Sequence, residues 1–214
     1  MKKENQKDIF MRKKFPAWEG WLFLEEASAE KIIREHLIRW FAPQLQNRLR
    51  TLSARGISRV KPHFDDFHRL FLFAHLEPSY KNRAWVLVDG DSKGREVAEQ
   101  LRTQYVPGGW QKSRFNTLSE PRFENYYPTA FSERVQQVFA ISDKEKRREA
   151  KQQLFNEVEE WICDNEAVAK REFSKSAKGI ISHLREMETI LIAENKGAKV
   201  PEGENEVIEV VSAA

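Results

Sequence analysis

One cysteine in 214 residues rules out a disulfide within the chain and a zinc site built from thiolates. Cys163 reads instead as a small buried apolar residue, and the composition suits a reducing, cytoplasmic compartment. Long apolar runs are missing too. None approaches the roughly 20 residues that a membrane-spanning helix needs, and the opening MKKENQKDIFMRKK is charged with no apolar segment behind it, so neither a membrane span nor a secretory leader is expected. There is no Gly-rich segment ending in Gly-Lys-Ser/Thr and no G-x-G-x-x-G after an apolar run. ATP or dinucleotide chemistry must therefore come from another chain. No internal repeat is found. What is present is bulky: 14 Phe and 6 Trp exclude disorder throughout, and the length fits one packed domain with an appended helical part.

Charge is nearly balanced, 36 basic residues against 33 acidic ones, too mild by itself to show nucleic-acid binding. Its distribution says more. One basic group is Lys2, Lys3, Lys7, Arg12, Lys13 and Lys14. A second, Lys144, Lys146, Arg147, Arg148 and Lys151, opens a helical stretch. Either can track phosphates, and either can be a solvated face.

Hydrophobic spacing organises the chain as α/β. Trp21 to Leu24 is a continuous apolar run, the pattern of a strand buried on both faces. Ile32, Ile33, Leu37, Trp40 and Phe41 follow at helical spacing, with His36 on the same stripe, up to Pro43. Leu45, Leu49 and Leu52 read as a further helical piece, and Ile57 to Val60 as a second strand stopped by Pro62. A helix through Phe64, Phe67, Leu70, Phe71 and Ala74 precedes the clearest strand, Trp85 to Val88. Val97, Ala98 and Leu101 mark another helix, and Arg114 to Leu118 a fourth strand. Strands alternating with helices predict a parallel sheet. The expected divisions are a basic segment 1–14, an α/β domain 15–131, a helical extension 132–195 and an acidic tail 196–214. Within the extension, Leu154, Phe155, Val158 and Trp161 form one stripe, which either packs on the sheet or docks a partner.

Functional groups of an open parallel sheet gather outside the carboxyl ends of its strands. Two acidic motifs fall there: Glu25-Glu26-Ala27-Ser28-Ala29-Glu30 after the first strand and Asp89-Gly90-Asp91-Ser92-Lys93-Gly94 after the third. Carboxylates that converge repel one another unless a cation joins them, and hard oxygen donors suit Mg²⁺ or Mn²⁺. The same Asp turn can simply cap a helix. An EF-hand beginning at Asp89 would need a Glu where Gln100 stands, and is excluded. A phosphatase with an aspartyl nucleophile would carry its motif on the first strand, and is the runner-up.

The motifs resemble the TOPRIM family of topoisomerases, primases and OLD-like nucleases. That pattern has a strand ending in Glu, with Gly next and an acidic residue four positions on, and later a strand ending in D-x-D-x-x-G. Glu26, Ala27 and Glu30 follow the first part with Ala for Gly, while Asp89, Asp91 and Gly94 follow the second in full. A shift by one residue would put Glu25 in the catalytic place. Arg122-Phe123-Glu124-Asn125-Tyr126-Tyr127-Pro128 looks like the Glu-Asn-Tyr segment after the fourth strand of such nucleases, which adds Glu124 as a metal-side carboxylate.

The resemblance covers residues 18–131 and implies a metal-dependent nuclease. Glu26, Asp89, Asp91, Glu30 and Glu124 would surround Mg²⁺ or Mn²⁺. Glu26 would complete the shell or act as base, and Lys178, with Lys175 second, would meet the scissile phosphate. Lys93, Arg147 and Arg148 would contact nucleic acid. Tyr126 or Tyr127 as nucleophile is the less expected chemistry. The closest form is the TOPRIM effector of two-protein phage-defence systems of the PARIS type. There an ABC-type ATPase subunit holds the effector inactive until a phage trigger protein acts, and the freed effector forms a homodimer and cuts tRNA. The rivals are an OLD-type DNA nuclease and a non-catalytic subunit of an ATPase complex.

Overall fold

Four short strands, β1 (Gly20–Leu24), β2 (Leu49–Ser53), β3 (Ala84–Val88) and β4 (Phe115–Thr117), make the sheet. In the computed structural model, which describes residues 18–197, they pair in the order β2-β1-β3-β4, all parallel. Parallel pairing forces each link to cross back over the sheet. From β1 the chain runs through α1 (Ala27–Ile32), a π-helical turn (Ile33–Leu37) and α2 (Ile38–Phe41) to β2. α3 (Ile57–Phe73) and the short α4 (Glu77–Tyr80) lead to β3, and α5 (Ser92–Tyr105) leads to β4. Four more helices follow: α6 (Ser132–Ala140), α7 (Lys144–Asp164), α8 (Glu166–Ser176) and α9 (Lys178–Gly197).

Side chains alternate along a strand, so the sheet carries two cores. Leu22, Leu24, Trp85 and Leu87 face the side that α1, α2 and the C-terminal helices cover. Phe23, Val86 and Val88 face α3 and α5, which supply Val60, Phe64, Ala98 and Leu101. The first core runs without a break from Leu22 to Leu191, so the helical extension shares its packing with the sheet. Leu154, Phe155 and Val158 are buried in it, and Trp161 packs against it. That stripe is filled by intramolecular packing and is not an open docking face.

The structure corrects three expectations. The second strand is Leu49–Ser53, not Ile57 to Val60. Leu49 and Leu52 sit three apart as on a helix, but on an extended chain they face opposite sides, one into each core. Ile57 to Val60 opens α3, which accommodates Pro62 because the missing N–H frees only the Ser58 carbonyl, at an exposed residue. Cys163 is exposed, one position beyond the buried Ile162 on α7. The basic segment 1–14 and the tail from residue 198 lie outside the described residues. Among the described residues no helix is long and apolar enough to cross a membrane.

Candidate active site

Leu24 stands level with both Ser53 and Leu87, so the carboxyl ends of neighbouring strands open on one edge. The chain leaves β1 toward β2 on one side and β3 toward β4 on the other, and the order reverses between β1 and β3. That reversal is where an open α/β sheet leaves a crevice. Glu25 and Glu26 leave β1 there, and Asp89 to Asp91 leave β3. The exit of β4 closes against them: Leu118 N donates to the Val88 carbonyl at 2.7 Å and Gly90 N to the Glu120 carbonyl at 2.9 Å.

This close approach explains Gly90 of D-x-D-x-x-G, and the tightness of the turn itself explains Gly94. A Cβ on residue 90 would stand 2.4 Å from the Leu118 oxygen, and one on residue 94 only 1.9 Å from the Asp89 oxygen. Asp91 caps α5, its Oδ1 accepting from Gly94 N at 2.7 Å. The cap engages one carboxylate oxygen of the two, so capping and metal binding are compatible roles for this side chain.

The short helical turn Phe123–Tyr126 delivers Glu124, which is 3% exposed. Lys151 reaches it from α7. Its Nζ lies 2.7 Å from each carboxylate oxygen of Glu26 and 2.8 Å from Glu124 Oε1. Glu124 Oε2 is buried with no hydrogen-bond partner among the described residues. Burial, followed by the charges of Glu25, Glu124 and Glu26, pushes the Asp89 carboxyl up to about 8. Burial, followed by Glu26 and Asp91, pushes Glu25 up to about 7. Burial pulls the Lys151 ammonium down, but Glu124 and Glu26 outweigh it and leave the ammonium above its ordinary value. Carboxyls that hold protons near neutral pH mark crowded like charge in a poorly solvated place.

The structure thus brings Glu25, Glu26, Asp89, Asp91 and Glu124 to one place. It does not bring Glu30, which accepts from Arg34 Nε at 2.8 Å and from Thr51 Oγ1 on β2. Lys178 is exposed at the start of α9, beside the β4 exit, where a Cβ on Gly179 would lie 3.8 Å from Ser119 Oγ. Lys175 is exposed and paired with Glu172 at 3.3 Å. Tyr126 is buried, its hydroxyl 2.9 Å from Ser119 Oγ and accepting from Glu120 N at 2.8 Å. Burial and the nearby Glu124 and Glu26 push the Tyr127 hydroxyl well above its ordinary value. Neither tyrosine presents a nucleophile.

Beside the carboxylates opens a cleft of about 860 Å³. Arg55 lines it from the turn before α3, Arg59 from the first turn of α3, and Lys144, Arg147, Arg148 and Lys151 from α7, which among the described residues makes six cations against the single carboxylate of Glu26. Only Lys151 of the six is ion-paired among the described residues. The α7 residues sit at i, i+3, i+4 and i+7, one helix face. That spacing was the sequence signal for Lys151, which composition showed only as one member of a basic group. Arg55 and Arg59 gave no signal, because their place follows from where β2 ends. Lys93 is exposed in the first turn of α5 and does not line the cleft.

Hard oxygen donors from three strand exits, one of them buried without a partner, fit a divalent ion. Of these carboxylates, Glu26 and Glu124 meet at the Lys151 ammonium. Among the described residues, the set of three whose donor atoms all lie within 4.8 Å of one another is Glu35, His36 and Glu159. That set already has cations against it: Lys31 Nζ lies 2.7 Å from Glu159 and Arg34 Nη2 3.1 Å from Glu35. No family model, curated protein or solved structure matches this chain.

Proposed function

We propose that the chain is a Mg²⁺- or Mn²⁺-dependent nuclease that hydrolyses phosphodiesters at the edge between β1 and β3. The observation that supports this reading is that Glu26 and Glu124 meet at one ammonium while Glu25 and Asp89 lie near enough to feel their charge, next to a cleft lined, among the described residues, by six cations and one carboxylate. When bound, the divalent ion would polarise a phosphoryl oxygen and lower the pKa of an attacking water. Glu26, Asp89 and Glu124 would hold it, with Asp91 giving the oxygen not used by the cap. Glu25, at the end of β1 beside Glu26, would be the carboxylate left to take a proton from the attacking water. Arg55, Arg59, Arg147 and Arg148 would neutralise backbone phosphates and fix the strand's path.

The TOPRIM resemblance carries the reading further. We take the chain as a cytoplasmic toxic effector of an anti-phage system, held by an ABC-type ATPase subunit, released through a phage trigger protein, active as a homodimer and directed at tRNA. The test is incubation of the pure protein with labelled tRNA, single-stranded DNA and plasmid, in Mg²⁺ or EDTA, beside Glu26→Gln. Mg²⁺-dependent cuts at one tRNA position, lost in the variant, are expected. Nicked plasmid beside intact tRNA would replace tRNA with DNA and favour an OLD-type enzyme. No cleavage of any substrate would leave a non-catalytic subunit.

A further inference from the structure

We propose that Lys151 is a resident counter-cation of the carboxylate cluster, which a divalent ion must displace to load the site, and which then turns into the cleft beside Arg147 and Arg148. The proposal deepens the nuclease reading, since the ion it concerns is the one that reading requires. Three oxygens hold the ammonium, at 2.7, 2.7 and 2.8 Å. They are the same oxygens that would ligate a divalent ion at 2.0–2.6 Å. Two cations cannot share them at full occupancy, so loading is an exchange: one ammonium leaves as one ion enters.

The resting arrangement has a physical cause. Glu124 is 3% exposed, and its second oxygen has no partner among the described residues. A buried carboxylate without a counter-charge is strongly destabilising, so the metal-free fold needs a cation there, and Lys151 supplies it. Glu26 and Glu124 are the two carboxylates that the ammonium joins. The lysine also has somewhere to go. It shares one face of α7 with Lys144, Arg147 and Arg148 and already lines the cleft. Its four-carbon stem can carry the ammonium to solvent by torsion alone. Loading of the metal would then add a cation to the phosphate path.

The exchange can be read without any substrate. Mn²⁺ binding is measured by the EPR signal of free Mn²⁺ for wild type, Lys151→Met and Lys151→Arg. Removal of the competing charge should make Lys151→Met bind Mn²⁺ at least about tenfold more tightly than wild type, with Lys151→Arg close to wild type. In EDTA, Lys151→Met should melt below wild type, and Mn²⁺ should raise its melting point more. Equal or weaker Mn²⁺ binding by folded Lys151→Met overturns the proposal. Should that variant fail to fold, reductive methylation of wild type decides: Lys151 becomes more reactive when Mg²⁺ is added if the exchange occurs. Mn²⁺ binding with Lys151 still shielded sinks the exchange and leaves the metal site standing, whereas no Mn²⁺ binding by any of the proteins sinks both.

Discussion

Asp89→Asn should stabilise the metal-free protein and abolish its response to metal. Burial and three neighbouring carboxylates hold the folded Asp89 near pKa 8, against 3.8 as its ordinary value. A group raised on folding contributes its stability below the unfolded pKa and loses it as pH rises through the folded one. At about 1.4 kcal/mol per pKa unit the full shift corresponds to an upper limit of about 6 kcal/mol. Residual solvation and coupling to Glu25 reduce this to about 2–4 kcal/mol at pH 8. Asparagine keeps the shape of the protonated acid and carries none of that penalty. At about 2–4 °C per kcal/mol for a chain of this size, Asp89→Asn should melt about 5–15 °C above wild type in EDTA at pH 8. The difference should shrink toward pH 5, where both forms are neutral at this position. Mg²⁺ should raise the wild-type midpoint at pH 8 and leave the variant's unchanged. Differential scanning fluorimetry across pH 5 to 9 makes the measurement. A variant that melts below wild type in EDTA at pH 8, or a difference that does not change with pH, would refute the electrostatic account of this site.

The two walls of the cleft should contribute separately to nucleic-acid binding. Arg55→Ala/Arg59→Ala and Arg147→Ala/Arg148→Ala should each weaken binding of a labelled RNA hairpin in Ca²⁺ and flatten its salt dependence, by about one unit of slope for each phosphate no longer neutralised; an unchanged slope in either pair removes that wall from the path. Gly94→Ala should be among the most damaging single substitutions, because its Cβ would meet the Asp89 carbonyl at 1.9 Å. A loss of about 3 kcal/mol or more is expected, at or beyond the top of the usual range for overpacking, and a urea midpoint within error of wild type would show that the turn can open without cost.

What the sequence made legible was whatever repeats locally. The run Trp21 to Leu24, the strand before Asp89 and the helical spacing beyond Phe131 all carry their own periodicity, and the structure holds each as expected. β2 was not legible, because Leu49 and Leu52 bury one side chain in each core, a pattern that three-residue spacing disguises as a helix. The acidic half of the site could be read because its members sit beside strand ends. Of its cations, only the basic group on α7 could be read, and not its place beside Glu26. Lys151 meets Glu26 across 125 residues, and Arg55 joins the cleft only because β2 ends level with β1. Glu30 shows the converse limit: one turn into α1 it has rotated toward β2, where Thr51 and Arg34 engage it.

The two readings of D-x-D-x-x-G, a helix cap or a metal motif, turn out not to compete. Gly94 must lack a side chain for α5 to begin hard against β3, and Asp91 must cap that start. The same tight turn fixes the Asp89 carboxyl at the crevice, close enough to Glu25 and Glu124 for their charges to raise it. A chain selected for stability alone would have no reason to place like charges there, since each raised carboxyl weakens the fold as pH rises above its ordinary range. Lys151 relieves part of that repulsion, through Glu26 and Glu124. Asp89 and Glu25 still hold protons near neutrality with Lys151 in place. The turn that starts α5 thus both caps the helix and holds Asp89 in a poorly solvated place among like charges that Lys151 relieves only in part.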